Sequence, residues 1–296
     1  MIRKHWLINA LGQRYDFTDR NSIISPDTFL YNPSGFGFTR QYTSLVVGNS
    51  ELVTSQQFRL TDIRGELLFF AGTTGGMYED YQKFIQFAKY KPLEFHYQTP
   101  NELTSYFCDV IFTTAEKGEV STDHVLHVPV IFHRLTEWLD STSYTVTLYN
   151  ETIGDGKYYP LERPYHYAGT NLSGTPINNV GTDDVGFILT IDGEVQNPQF
   201  TLTQYGESYG ICKINGTYDF LQIDSVERTE KIYAERNGSV ITNPEQYQDF
   251  TIANGQAYLT WCKFRVGETI FSFTSGNISE FDGTITISFK NSYVSV

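Results

Sequence analysis

The chain has 296 residues, enough for two domains at the usual size of roughly 100–200 residues each. It is 40% apolar and 16% aromatic, too aromatic for a disordered chain and suited to strands, where flat rings pack on a pleated surface. A formal net charge of −13 argues against non-specific binding of nucleic acid. Solubility is its plainer reading, and a surface that must not hold DNA is the functional one.

The three cysteines, Cys108, Cys212 and Cys262, are far apart, odd in number and without a Cys-x-x-Cys pair, so neither a zinc site nor a disulfide framework is signalled. Cys108 and Cys262 fall in strand-like runs and read as buried apolar residues. The opening MIRKHWLINALGQ is too short in apolar residues for a signal peptide, and no stretch approaches the roughly 20 residues of a membrane span, so no membrane insertion is expected. Without a secretion signal, the sequons at Asn150, Asn171, Asn215, Asn237 and Asn277 read as chance.

In chain order, residues 5–9 and 15–17 predict a hairpin around a Gly-Gln turn. NPSGFGFT at 32–39 is turn-rich, and Gly35 and Gly37 alternate with Phe36 and Phe38, which suggests a bend or the close approach of another backbone. Strands follow at 56–63 and 66–72, with Arg64-Gly65 read as a tight turn between them. MYEDYQKFIQFAKY predicts a helix over 77–90, with Tyr78, Tyr81, Phe84, Ile85 and Ala88 on the face that packs on the sheet. Gly75-Gly76 and Pro92 bound it, and Glu79, Asp80 and Lys89 suit its dipole.

Strands resume at 93–97 and 106–112, followed by a polar hairpin through Glu116 to Glu119 and a strand at 124–135. In the last of these Pro129, lacking an amide, is expected on an edge or at a bulge. The polar stretch Asp140 to Ser143 marks the boundary between a domain over 1–141 and one over 142–296. The second half shows no helical pattern, only short strands with turns every 8–12 residues or so, the pattern of a sandwich or jelly roll. TPINNVG at 175–181 reads as turn signal, and Asp192-Gly193 as a hairpin turn. The fold class is therefore mainly β with one helix in the N-terminal half.

No constellation of catalytic residues emerges, and the chain is read as no enzyme, with no catalytic, cofactor-binding or metal site. Of the six histidines (His5, His96, His124, His127, His133 and His166), His127 and His133 share a strand face at too long a span for one metal, and His124 has the opposite parity to His127. They read as polar residues on a solvated face. Asp183, Asp184, Asp192 and Glu194 are acids without a singling context; Asp183-Asp184 lacks calcium-loop spacing. Tyr158, Tyr159, Tyr165 and Tyr167, with Pro160 and Pro164, form an aromatic segment that can bind sugar or protein, or seal a joint between domains, the reading the sequence favours.

The order of these features resembles the distal tail proteins of long-tailed phages. In the first half the resemblance lies in the early strand pair, Gly35-Phe36-Gly37-Phe38, the single helix between strand pairs and a strand ending at Leu135–Trp138. In the second it lies in Asn179-Val180-Gly181, Phe187-Ile188-Leu189, Ile191-Asp192-Gly193, Asn197-Pro198-Gln199-Phe200 and a closing segment from Gly283 to Tyr293.

The resemblance implies a split-barrel-like N-terminal domain forming a hexameric ring at the tail tip, and a galectin-like C-terminal sandwich pointing outwards. The implied partners are further copies of the chain, the tail tube protein, the tail-associated lysin or tip protein, and host-adhesion proteins, with DNA passing through the lumen without specific binding. The implied place is the virion, after synthesis in the bacterial cytoplasm. A ring predicts β edges completed by neighbours and exposed loops around 18–50 and 113–124 that order on assembly. Some relatives carry an inserted carbohydrate-binding module, for which the second domain here has no room. The alternative is a carbohydrate- or receptor-binding sandwich using Tyr158–Tyr167 or Trp261.

Overall fold

The computed structural model describes residues 3–17, 28–47, 50–70, 73–99, 104–121, 124–149, 174–214, 216–226, 229–241, 248–249, 262–278 and 281–296. The chain divides into two compact units, 1–142 with 292–296, and 143–291. The terminal segment Ser292–Val296 thus belongs to the first unit, not to the second where the sequence placed it.

Among the described residues the first unit is built on a nine-stranded antiparallel sheet. Its main path runs Arg14–Asp16, Lys4–Ile8, Leu93–Gln98, Tyr106–Ala115, Leu126–Arg134, Ile63–Phe69 and Thr28–Ser34, with Trp138–Asp140 pairing Tyr106–Ala115 and Ser292–Tyr293 pairing Trp138–Asp140. The first hairpin forms as expected, pairing Trp6 with Asp16 and Ile8 with Arg14. Asn9 closes it, its Oδ1 accepting the Leu11 and Gln13 amides at 3.1 and 3.0 Å.

The helix spans Thr74–Ala88, three residues earlier than the periodicity placed its start, because Thr73 caps it by accepting the Gly76 amide at 3.1 Å. Gly75 and Gly76 therefore lie inside it, and Glu79 and Asp80 lie beyond its first turn. Met77, Phe84, Phe87 and Ala88 are the buried residues, and Tyr78, Tyr81 and Ile85 flank them. Phe84 meets Phe112 edge-on at 5.5 Å, which places the helix on the sheet.

Two local expectations are corrected. Arg64 and Gly65 lie within strand Ile63–Phe69, and the chain turns instead at Thr61-Asp62. Pro129 lies in an interior strand, paired on both sides. Its backbone faces the Tyr106–Ala115 side, where its carbonyl accepts the Glu116 amide just past that strand's end. A register shift interrupts the same neighbour between Phe112 and Thr114. The missing amide is tolerated there because the ladder has run out.

Among the described residues the second unit is a sandwich without helix. A seven-stranded sheet runs Tyr144–Tyr149, Thr284–Phe289, Val185–Gln196, Thr217–Asp224, Lys231–Arg236 and Ser239–Val240, with Lys263–Phe264 pairing Val185–Gln196. A five-stranded sheet runs Thr175–Asn179, Gly267–Thr274, Gln199–Gln204, Glu207–Ile214 and Gln248–Asp249. Inward residues of both sheets, among them Phe187, Leu189, Phe200, Phe271, Ile285 and Ile287, form one core. Phe187 stacks on Phe264 at 4.3 Å.

Residues 175–179 form an edge strand rather than a turn. Thr175, Ile177 and Asn179 face inward and Pro176 faces out, and an edge is where a strand tolerates proline. Asp192-Gly193 is a bulge inside Val185–Gln196, not a hairpin turn: the register shifts between Asp192 and Val195, and Gly193 has φ +127°.

Candidate assembly surface

Among the described residues the two strands Phe38–Val47 and Ser50–Leu60 pair only with each other, from Phe38↔Leu60 to Val47↔Ser50, apart from the nine-stranded sheet. At about 3.3 Å per residue this arm is roughly 30 Å long. The expectation of loops over 18–50 and 113–124 awaiting order is corrected here: residues 28–34 and 38–47 are already strand, as are 113–115, and Val120 bridges Leu126. Residues 18–27 and 122–123 lie outside the described residues.

The arm is apolar where a free arm should be polar. Tyr42, Leu45, Val46, Leu52 and Val53 are 53–73% exposed. Leu45 pairs with Leu52 on one face, and Ser44 with Val53 and Val46 with Glu51 on the other, so both faces carry apolar side chains. A lone two-stranded ribbon is marginal in water, and clustered exposed apolar residues mark an interaction surface.

The root of the arm is, by contrast, pinned at every backbone carbonyl from 35 to 37. Thr61 Oγ1 lies 2.8 Å from both the Gly35 and the Gly37 carbonyl oxygens and shares its one proton between them. Trp138 Nε1 donates to the Phe36 carbonyl at 2.9 Å, and Arg134 Nη1 to the Gly37 carbonyl at 2.7 Å. Gly35 has φ +90°, and a Cβ there would sit 1.8 Å from the Asp62 carbonyl oxygen. The close approach read from Gly35-Phe36-Gly37-Phe38 is therefore real at Gly35; at Gly37 the space is ordinary.

Arg134 is buried, its guanidinium 5.0 Å from the Trp138 ring centre. Burial pulls its pKa down, opposed by the neighbouring Cys108 and Glu137. Burial likewise pushes the Cys108 thiol up to about 12, which removes it as a nucleophile. Beside the root an open cavity of about 520 Å³ is lined by Thr39, Gln41, Arg59, Asp62, Arg64 and His133. Asp62 meets His133 Nδ1 at 2.8 Å and Arg64 at 3.6 Å, so these groups are mutually engaged.

The other predicted residues scatter. His127 joins Glu66 at 3.1 Å, on the same sheet face as His133. His96 is stacked between Trp6 and Phe107 and reaches Glu94 at 3.0 Å. His5 lies among Phe36, Phe95 and Tyr97, and burial, with Arg3 nearby, lowers its pKa to about 4. His124 sits before the strand with φ +56°. Among the described residues no group of three or more His, Cys, Asp or Glu gathers to hold a metal.

In the second unit Asp183 and Asp184 shape the loop after Thr175–Asn179, accepting the Asp184 and Val266 amides at 2.8 and 3.3 Å. Asp192 and Glu194 belong to the bulge, where the Glu194 carbonyl accepts Asn277 Nδ2 at 3.0 Å. Asn237 adopts φ +51° at a turn. Buried Asn179 donates to the Asp183 and Phe264 carbonyls and accepts the Gly181 amide, which accounts for Asn179-Val180-Gly181. Asn197 and Gly216 exchange hydrogen bonds at 2.7 and 2.8 Å, which accounts for Asn197 in its motif. Tyr158, Tyr159, Tyr165, Tyr167, His166, Trp261, Asn150, Asn171 and Asn215 lie outside the described residues.

The model of the family described as "Distal tail protein, N-terminal domain" matches residues 4–135, the span that carries the sheet, the helix, the arm and most of its root. Residues 4–135 of the chain are thus similar to the N-terminal domain of distal tail proteins. A chain of the phage p2 baseplate in its activated conformation with calcium aligns over 100% of both chains at 14% identity, with a TM-score of 0.58. The SPP1 Dit protein, described as a paradigm of the hub adsorption apparatus in phages that infect Gram-positive bacteria, covers 97% of this chain and 98% of its own at 10% identity, with a TM-score of 0.62. These likenesses show a shared fold across both units. No curated protein matches the sequence. Among the described residues no helix is long and apolar enough to cross a membrane.

Sequence reasoning missed the arm and two anchors of its root. Alternating Gly35 and Gly37 signalled the root, but the arm itself is rich in Thr, Ser and Gln, without a clear period of two. Arg134 and Trp138 carried no local signal for a tertiary hydrogen bond to a backbone a hundred residues away.

Proposed function

We propose that six copies of this chain form a ring at the distal tip of the tail, joining the tail tube to the tail-associated lysin or tip protein and to host-adhesion proteins. The observation that carries this is the arm: a ribbon fixed at its root and apolar on both faces is stabilised once a neighbouring copy covers it. A closed ring gives every arm an identical neighbour. The first unit builds the ring, and the second, a galectin-like sandwich, faces outwards towards the adhesion proteins. DNA passes through the lumen without specific binding, consistent with the net charge of −13. The chain acts as no enzyme and is made in the host cytoplasm before assembly.

A second reading, contact of the outer sandwich with a host glycan, is favoured by Tyr205, which is 94% exposed at the tip of the hairpin between Gln199–Gln204 and Glu207–Ile214.

Light scattering over a concentration series, alone and with the tail tube protein, tests the ring. A mass near six times 33.8 kDa supports it. A monomer at every concentration in both conditions refutes it, and a glycan array then tests the second reading.

A further inference from the structure

Two of the three cysteines meet inside the second unit. Cys212 lies on strand Glu207–Ile214 of the five-stranded sheet. Cys262 directly precedes strand Lys263–Phe264, which pairs with Val185–Gln196 of the seven-stranded sheet. They are 1% and 5% exposed and members of one core cluster. Neighbouring pairs bring them together across the core: Cys212 pairs with Phe200, Lys263 beside Cys262 pairs with Gly186 beside Phe187, and the Phe187 and Phe200 rings meet at 5.9 Å. Ser225 Oγ donates to the Cys262 carbonyl and so holds the Cys262 backbone in place.

We propose that Cys212 and Cys262 are a latent disulfide, closed by a low-molecular-weight disulfide into a covalent staple between the two sheets of the sandwich. Cysteines that face each other across one closed core are placed to reach the S–S length of about 2.05 Å. In the first step one cysteine sulfur, as thiolate, attacks the oxidant's disulfide; a mixed disulfide forms and one small thiol leaves. In the second step the other cysteine sulfur displaces the remaining small thiol. The two electrons and both protons end on the small thiols, so the oxidant is reduced as the pair is oxidised.

The environment makes closure slow. The interaction with Cys262, with burial behind it, holds the Cys212 thiol well above its usual range, so little thiolate exists at neutral pH. The pair thus survives reduced in a reducing compartment and closes on long exposure outside one. The staple closes the segment 213–261 into a covalent loop, which raises stability by restricting the unfolded chain. None of this depends on the ring, since it concerns the core of a single chain.

The test incubates the full purified chain with excess oxidised glutathione at mildly alkaline pH. A parallel sample contains sub-denaturing urea, which speeds local opening. Samples are acid-quenched, alkylated in denaturant and mapped by mass spectrometry. The expected result is a loss of about 2 Da, one alkylated cysteine, Cys108, and a Cys212–Cys262 cross-linked peptide, with a thermal midpoint several degrees higher. In Cys212→Ala and Cys262→Ala the cross-link and the oxidant-dependent rise in midpoint both disappear. Three alkylated cysteines in both samples overturn the proposal. So does glutathione left on either residue as a stable mixed disulfide.

Discussion

Trp138 meets Phe36 twice: its indole N–H donates to the Phe36 carbonyl at 2.9 Å, and its ring stacks on the Phe36 ring at 5.7 Å with 17° between planes. One residue thereby holds both the backbone and the side chain at the root of the arm. Trp138→Phe keeps a stacking ring and leaves the Phe36 carbonyl without its donor, a loss of about 1–3 kcal/mol. Trp138→Ala also opens a cavity in the first unit, a loss of about 3–5 kcal/mol. Urea unfolding followed by circular dichroism measures both. A Trp138→Phe variant as stable as the parent would mean that the hydrogen bond contributes nothing of its own.

Gly35→Ala is expected to damage the first unit more than any surface change. Its methyl carbon would overlap the Asp62 carbonyl oxygen, and the backbone there has φ +90°, which a Cβ disfavours. The strand pair at the root must separate to accept it. A lower thermal midpoint and faster proteolysis within 38–60 are the expected readings; a melt within a degree of the parent would show that the root relaxes freely.

Charges placed on the arm separate folding from assembly. Val46→Lys and Leu52→Glu lie on opposite faces of a ribbon that the described residues leave open. Each should change the stability of the monomer by no more than about 0.5 kcal/mol. The same substitutions should lower the mass of the assembled species towards one chain in light scattering. An unchanged assembly would place the subunit contact elsewhere on the first unit.

His5 sets an acid limit on the first unit. Its pKa is about 4 in the fold against 6.5 in the unfolded chain, so the unfolded chain binds the extra proton between these values. Its contribution is whole above pH 6.5, falls as the pH drops towards 4, and reaches about 3 kcal/mol in all. His5→Phe, placed among Phe36, Phe95 and Tyr97, should flatten that part of the stability profile. An unaltered profile in the variant would assign the acid sensitivity to other groups.

The helix and the strands that alternate cleanly were legible because a side chain's direction follows from local period alone. Tyr144–Tyr149, Gln199–Gln204 and Thr284–Phe289 stand where their patterns put them. Misreadings came where a residue usual in turns was used otherwise. Gly65 sits in a strand because Leu30 and the Tyr31 carbonyl crowd it, within 3.2 Å of where its Cβ would lie. Gly193 is a bulge for a similar reason, with Gly283 pressed against it. In each case the cause is a neighbour distant in sequence.

By itself the sequence determined a mainly β chain with one helix, and a set of glycine, asparagine and aromatic motifs that matches the distal tail proteins. Such features depend on local propensity and on spacing along the chain. Only the tertiary structure decided that residues 38–60 form a ribbon apolar on both faces, that Arg134 and Trp138 grip its root, and that Ser292–Val296 returns to the first unit. These depend on which distant backbones lie within hydrogen-bonding reach, and that is fixed only when the sheets have closed and the buried polar groups have found their partners.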